Sequence, residues 1–189
     1  MESGINQKYK SKTNLILCGF KAHASIVFST LIKMEHINII AVFADENESF
    51  CLENKTSISD LAKSKLIPVY PPPDLTLKTL RTISKGRALD IMLLVEWKQL
   101  LGRLIFSFPK LGTFNIHDSL LPQYRGSSPM NWAIINGLTS SGATFHSVTI
   151  QADSGPIWAQ ESFKIKPDDY SCDILKKVLK AYETVSVYG

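Results

Sequence analysis

The run LDIMLLVEW, Leu89 to Trp97, is apolar almost without interruption. A strand with one wet face alternates polar and apolar residues, and this run does not. It therefore needs cover on both faces, as the inner strands of a parallel sheet have when helices lie on each side. The preceding chain supplies neighbours for it. NLILCGF (Asn14 to Phe20) and INIIAVFAD (Ile37 to Asp45) read as two more buried strands, and HASIVFSTLIKM (His23 to Met34) repeats apolar residues at helical spacing. SISDLAKSK reads as a short helix with Ser57 as its N-cap and Asp60 three residues on. LIPVYPPP is a brief strand stopped by prolines, Asp74 to Lys85 is expected to be helical, and GTFNIH is a further strand. Strands alternating with helices give an α/β domain with a parallel sheet, in which Leu89 to Trp97 is central.

After Pro129 the pattern changes. MNWAIING reads as a short helix ended by Gly137. GATFHSVTI and GPIWAQESFKI are strands separated by the turn QADSG, which predicts an antiparallel or mixed extension. Tyr170 to Tyr188 closes the chain as an amphipathic helix with Ile174, Leu175, Val178, Leu179 and Tyr182 on one face. The expected organisation is a loose polar tail over residues 1–12 and a single domain over 13–189.

Composition removes several classes of function. A net charge of +4 suits an anionic substrate but is too small to argue for nucleic acid without a clustered patch. Cys18, Cys51 and Cys172 form no CxxC and no metal spacing, which predicts a reducing, cytoplasmic setting and no bound metal. The apolar run from Leu15 to Phe20 is ended by Lys21 and is too short for a signal core or a membrane span. The turn CGFKAHAS, after the first strand, has one glycine and no GxGxxG, which argues against a dinucleotide. His23 there reads as a helix N-terminal polar residue, and His36 lies in a polar connection.

The segment FNIHDSLLPQYRGSSP, Phe114 to Pro129, asks more of its residues than packing does. Asn115 and His117 are two apart on a strand, so both point to one face while Ile116 points into the core. If the strand ends there, the pair lies at the carboxyl edge of the sheet, where open α/β folds bind ligands. An amide can stabilise an oxyanion while an imidazole moves a proton. Pro122, Gly126 and Pro129 shape the following loop. Arg125 is a natural anion donor, and Ser127 and Ser128 can line a polar pocket. Asp153 lies in a turn before Gly155 and, folded back on His117, would orient the imidazole. Asp118 is expected to face away from His117. His146 shares a strand face with Thr144 and Val148, and core, rim and site roles all stay open for it.

From Gly112 to Gln160 the sequence resembles the signature of the folate-dependent formyltransferases. Asn-x-His, SLLPxYRG and a later Asp-x-Gly occur in order, with Asp153 36 positions after His117. The likeness is collinear from Leu15 onward. It implies a Rossmann-like three-layer domain, mostly parallel with an antiparallel C-terminal extension, that uses 10-formyltetrahydrofolate as co-substrate. It also implies a catalytic trio: Asn115 and a protonated His117 on the negative oxygen, with Asp153 holding His117 and helping to remove the amine's proton. Folate contacts are expected from Trp97, Leu101 and Ala152, and acceptor contacts from Ser119, Tyr124, Arg125 and Gly126. SPMNWAIING and QADSGPIWAQ resemble the amino-sugar branch, so the expected partner is a small, anionic amine acceptor such as a nucleotide-linked amino sugar. Methionyl-tRNA, which would call for an additional domain, and glycinamide ribonucleotide are the alternatives. A non-catalytic folate or nucleotide-sugar binding module is the rival from another class.

Overall fold

The computed structural model describes residues 12–45 and 56–188. The tail expected over 1–12 therefore lies, except for Lys12, outside the described residues, as does most of the polar connection around Cys51.

Among the described residues, seven strands form one sheet in the order β3-β2-β1-β4-β5-β6-β7. These are β1 (Thr13–Gly19), β2 (Ile37–Phe43), β3 (Val69–Tyr70), β4 (Ile91–Val95), β5 (Gly112–His117), β6 (Ser140–Ser147) and β7 (Ile157–Lys164). The run singled out from sequence, β4, is the middle strand. β1 to β5 pair in parallel, and β6 and β7 add on antiparallel. The expected mostly parallel sheet with an antiparallel extension is thus the observed architecture.

The period of two along each strand divides the core in two. Leu15, Leu17 and Val95 face a cluster covered by α1 (Lys21–Leu31), α2 (Ile58–Ser64) and α6 (Ser171–Tyr188). Ile16, Cys18, Met92 and Leu94 face the other cluster, covered by α3 (Leu77–Ile83) and α4 (Arg103–Phe106). Ser57 caps α2 as expected: its hydroxyl accepts from the Asp60 N–H at 3.0 Å and donates to the Asp60 carboxylate at 2.8 Å. Caps of this kind stabilise a helix by about 1 kcal/mol.

Several boundaries differ from the sequence reading, and two of them for clear local reasons. The helix expected from Asp74 starts at Leu77, because Pro72–Asp74 forms a 3₁₀ turn and Thr76 then serves as N-cap, accepting from the Thr79 N–H at 3.2 Å. The central strand stops at Val95 rather than Trp97, because Glu96 adopts φ +55° and turns the chain out of the sheet. The single turn α4 was not expected; four residues are too few for a helical period to show.

Candidate active site

β5 carries Asn115 and His117 to the carboxyl end of the parallel strands. β6 runs beside it in the opposite sense, which sets His146 across from Asn115 and Thr144 across from His117. His146 is buried, and its Nδ1 lies 2.9 Å from the Ser147 carbonyl. A carbonyl can only accept, so Nδ1 carries the proton and Nε2 is bare. Burial, the largest influence, pushes His146 below the ordinary histidine value and keeps the ring neutral. Its bare Nε2 then accepts an N–H from the Asn115 amide at 3.2 Å. That bond fixes the amide plane and leaves the second N–H for the cavity that Asn115 lines.

The same reasoning fixes His117. Its Nε2 donates to the Tyr124 carbonyl at 2.8 Å, so Nδ1 is the nitrogen available for proton transfer. Nδ1 lies 3.8 Å from Asp153 Oδ2. Asp153 Oδ2 accepts the Gly126 N–H at 2.9 Å, and Oδ1 lies 3.6 Å from His146 Nε2. One carboxylate, two imidazoles and one carboxamide thus meet at one rim of the sheet.

The turn that delivers Asp153 depends on Gly155. A Cβ there would lie 1.9 Å from the Ser147 carbonyl oxygen, so only glycine allows the turn to lie this close to β6. Asp153 itself takes φ +48°, a left-handed conformation that short polar residues tolerate.

The loop after His117 is braced from within. The Ser119 hydroxyl, 1% exposed with its residue, donates to the Gln123 carbonyl at 2.6 Å. Thr144 donates to the Ser119 carbonyl at 2.6 Å and accepts from the Leu121 N–H at 3.1 Å. The Tyr124 hydroxyl accepts from Asn136 at 3.1 Å. Of the four residues expected to contact the acceptor, Gly126 walls a cavity; Ser119 and Tyr124 are tied into the loop, and Arg125 is exposed away from the cavity walls.

Two cavities meet at this rim. One, of about 500 Å³, has polar walls that include Lys21, Glu96, Asp118, Ser127, Asn131 and Tyr182. The other, of about 300 Å³, is walled by Leu94, Leu101, Val148, Ile150 and His146. Asn115, Trp97, Ala152 and Asp153 border both. The three residues expected to contact folate, Trp97, Leu101 and Ala152, therefore all line the smaller, more apolar space. Trp97 is steadied there by stacking on Phe20, with ring centroids 5.2 Å apart.

Two features of this site escaped the sequence. The part played by His146 depends on an antiparallel register that no motif announces. The packing of Lys21, Glu96, Asp118 and Tyr182 on one wall joins residues from four separate elements. If His146 orients the Asn115 amide, His146→Leu should lower turnover about tenfold, close to 1.4 kcal/mol of barrier. His146→Gln, whose side-chain oxygen can take the same N–H, should restore most of it. Steady-state rates of the two variants against wild type check this.

Comparison with known proteins places the chain in a family. The family profile described as Formyl transferase matches residues 15–187, and the chain belongs to that family. The bifunctional polymyxin resistance protein ArnA of Wigglesworthia glossinidia brevipalpis is 40% identical over 131 residues, 67% of this chain and 20% of that protein. A methionyl-tRNA formyltransferase of Trichlorobacter lovleyi is 32% identical over 160 residues, 82% of this chain and 50% of the other. The chain thus spans half or less of the length of these curated relatives. Among solved structures, phosphoribosylglycinamide formyltransferase from Anaplasma phagocytophilum superposes with a TM-score of 0.75 at 21% identity, covering 93% of this chain and 83% of that one. WlaRD, described as a sugar 3N-formyl transferase and solved with dTDP and 5-N-formyl-THF, gives 0.72 at 22% identity, covering 93% and 60%. These two likenesses show a shared fold.

Proposed function

We propose that this chain transfers a formyl group from 10-formyltetrahydrofolate to a primary amine, that of a nucleotide-linked amino sugar. The observation that carries the reading is the pair of cavities with a common border at Asn115 and Asp153. The smaller, walled by Leu94, Leu101, Val148 and Ile150, fits a flat pterin, whose faces favour apolar cover. The larger, polar one fits a hydroxylated acceptor. A bond between two guests can form only where their spaces meet, and the carboxamide and carboxylate stand there, with the His117 imidazole on the larger side.

The chemistry follows from the atoms already placed. The amine nitrogen bonds to the formyl carbon, whose oxygen becomes negative. The free N–H of Asn115 is a donor for that oxygen; such donors contribute roughly a hundredfold or more to rate. The carbon–N10 bond then breaks, its electron pair returns to N10, and N10 takes a proton. The acceptor nitrogen loses one. His117 Nδ1, the ring nitrogen not engaged with Tyr124, is placed to take it, and Asp153 stabilises the imidazolium that forms. The net change is one N–H exchanged for another. The donor set of the trio serves this proton traffic without a metal.

The sugar acceptor is favoured by the likeness of SPMNWAIING and QADSGPIWAQ to the amino-sugar branch. The reading is tested by supplying 10-formyltetrahydrofolate with a panel of nucleotide-linked amino sugars, glycinamide ribonucleotide and initiator methionyl-tRNA. Formylation of a nucleotide sugar is the expected result. Formylation of methionyl-tRNA alone would move the assignment to the branch of the Trichlorobacter relative. Folate binding with no transfer to any amine would make the chain a binding module.

A further inference from the structure

Tyr182 of α6 is 1% exposed, and its ring meets His23 edge-on with centroids 4.9 Å apart. Its hydroxyl lies 2.9 Å from the carbonyl of Ile116, the residue between Asn115 and His117, and also touches Asp118 Oδ1. The hydroxyl is placed to donate to either oxygen, but a phenol has one proton and cannot serve both fully. A carboxyl proton on Asp118 lets both contacts be made at once, Tyr182 donating to Ile116 and accepting from Asp118. A carboxylate oxygen of Asp118 also lies within 4.8 Å of one of Glu96, and two carboxyls this close disfavour ionising together.

We propose that Asp118 is a neutral carboxylic acid and that, together with Tyr182, it pins the backbone of Ile116 and so positions Asn115 and His117. Both residues are positioning residues; neither has to touch the reacting atoms. The groups around Asp118 agree. Glu96 faces it from the end of β4, Lys21 and His23 from α1, and Tyr182 from α6. His117 precedes it on its own strand, and Asp153 lies across the cavity. Burial and then the Glu96 charge hold Asp118 well above the usual carboxylate range. Burial would raise Glu96 too, but His23 and the Lys21 ammonium bonded to it bring it below its ordinary value. The pair divides into one acid and one carboxylate, with the cation on the carboxylate.

The catalytic half of this proposal rests on the formyl-transfer reading; the proton does not. Asp118→Asn replaces the acid O–H by an amide N–H that cannot ionise, whereas Asp118→Ala removes the group, so the Asn variant should keep about tenfold more turnover than the Ala variant. Tyr182→Phe keeps the ring but drops the hydroxyl, and should lower kcat about tenfold with both KM values unchanged and shifted His117 ring-proton resonances. Infrared difference spectra at neutral pH should show a carboxylic-acid carbonyl band that vanishes in Asp118→Asn. Melting should follow the proton. The folded chain keeps it above the pH at which the unfolded chain loses it, so stability declines as pH rises from the ordinary carboxylate range toward the raised value. Asp118→Asn escapes that loss, and its melting advantage should grow with pH. Absence of the infrared band, or an Asp118→Asn enzyme as inactive as one lacking His117, overturns the proposal. Unmoved His117 resonances and unchanged kcat in Tyr182→Phe overturn the positioning role. A wild-type protein that formylates no amine sinks the formyl-transfer reading instead, while the band and the resonances still decide this one.

Discussion

His117→Ala is expected to lower formyl transfer by a factor of about a hundred to a thousand while leaving the melting temperature nearly unchanged. The effect is large because three neighbours converge on this one ring. Tyr124 takes the Nε2 proton, Asp153 faces Nδ1, and the Asn115 amide stands beside it on the same strand face. Removing the ring takes away the proton acceptor proposed for the attacking amine and leaves Asp153 without its His117 neighbour. The fold does not depend on it: the core on the Ile116 side continues through Ala143, Val178 and Tyr182 without His117. Initial rates at saturating co-substrate, together with a thermal melt, check both halves. Unchanged turnover would remove His117 from the mechanism.

Gly155→Ala is the second large expected effect, and it comes from a residue with no functional group. A methyl at 1.9 Å from the Ser147 carbonyl has no room, and the obstacle is backbone, which cannot step aside as a side chain does. The turn must lift off β6. Overpacking of this kind costs about 1–3 kcal/mol of stability. The catalytic loss should be greater, about a hundredfold, because the lift separates Asp153 from both imidazoles and from the Gly126 N–H. Melting and turnover measured on the same preparation separate the two costs. Turnover within about threefold of wild type would show that the position of this turn does not matter to the chemistry.

Much of this was legible in the residues because it depends on short-range pattern. The unbroken apolar run of β4 announced a central strand, and Ser57 with Asp60 announced the start of α2. Asn115 and His117 shared a face because a strand has a period of two, whatever it packs against. What the sequence withheld depends on pairing between distant segments. His146 meets Asn115 only because β6 runs antiparallel in one register, and a slip of one residue would send it to the other face. From the sequence, Asp118 reads as facing away from His117. Its meaning comes from Tyr182, 64 positions later, and from Glu96 on another strand end. The boundary at Glu96 was missed for a related reason, since a left-handed glutamate leaves no mark in composition.

The two chambers share a partition but not their outer walls. Lys21, Ser127 and Asn131 border only the larger one, whereas Leu101, Val148 and Ile150 border only the smaller. Substitutions on one side can therefore reshape the welcome given to one guest without disturbing the other. On the proposed function, a scaffold divided in this way lets descendants exchange the molecule being modified while inheriting the one-carbon supplier, and the residues at the partition, intact.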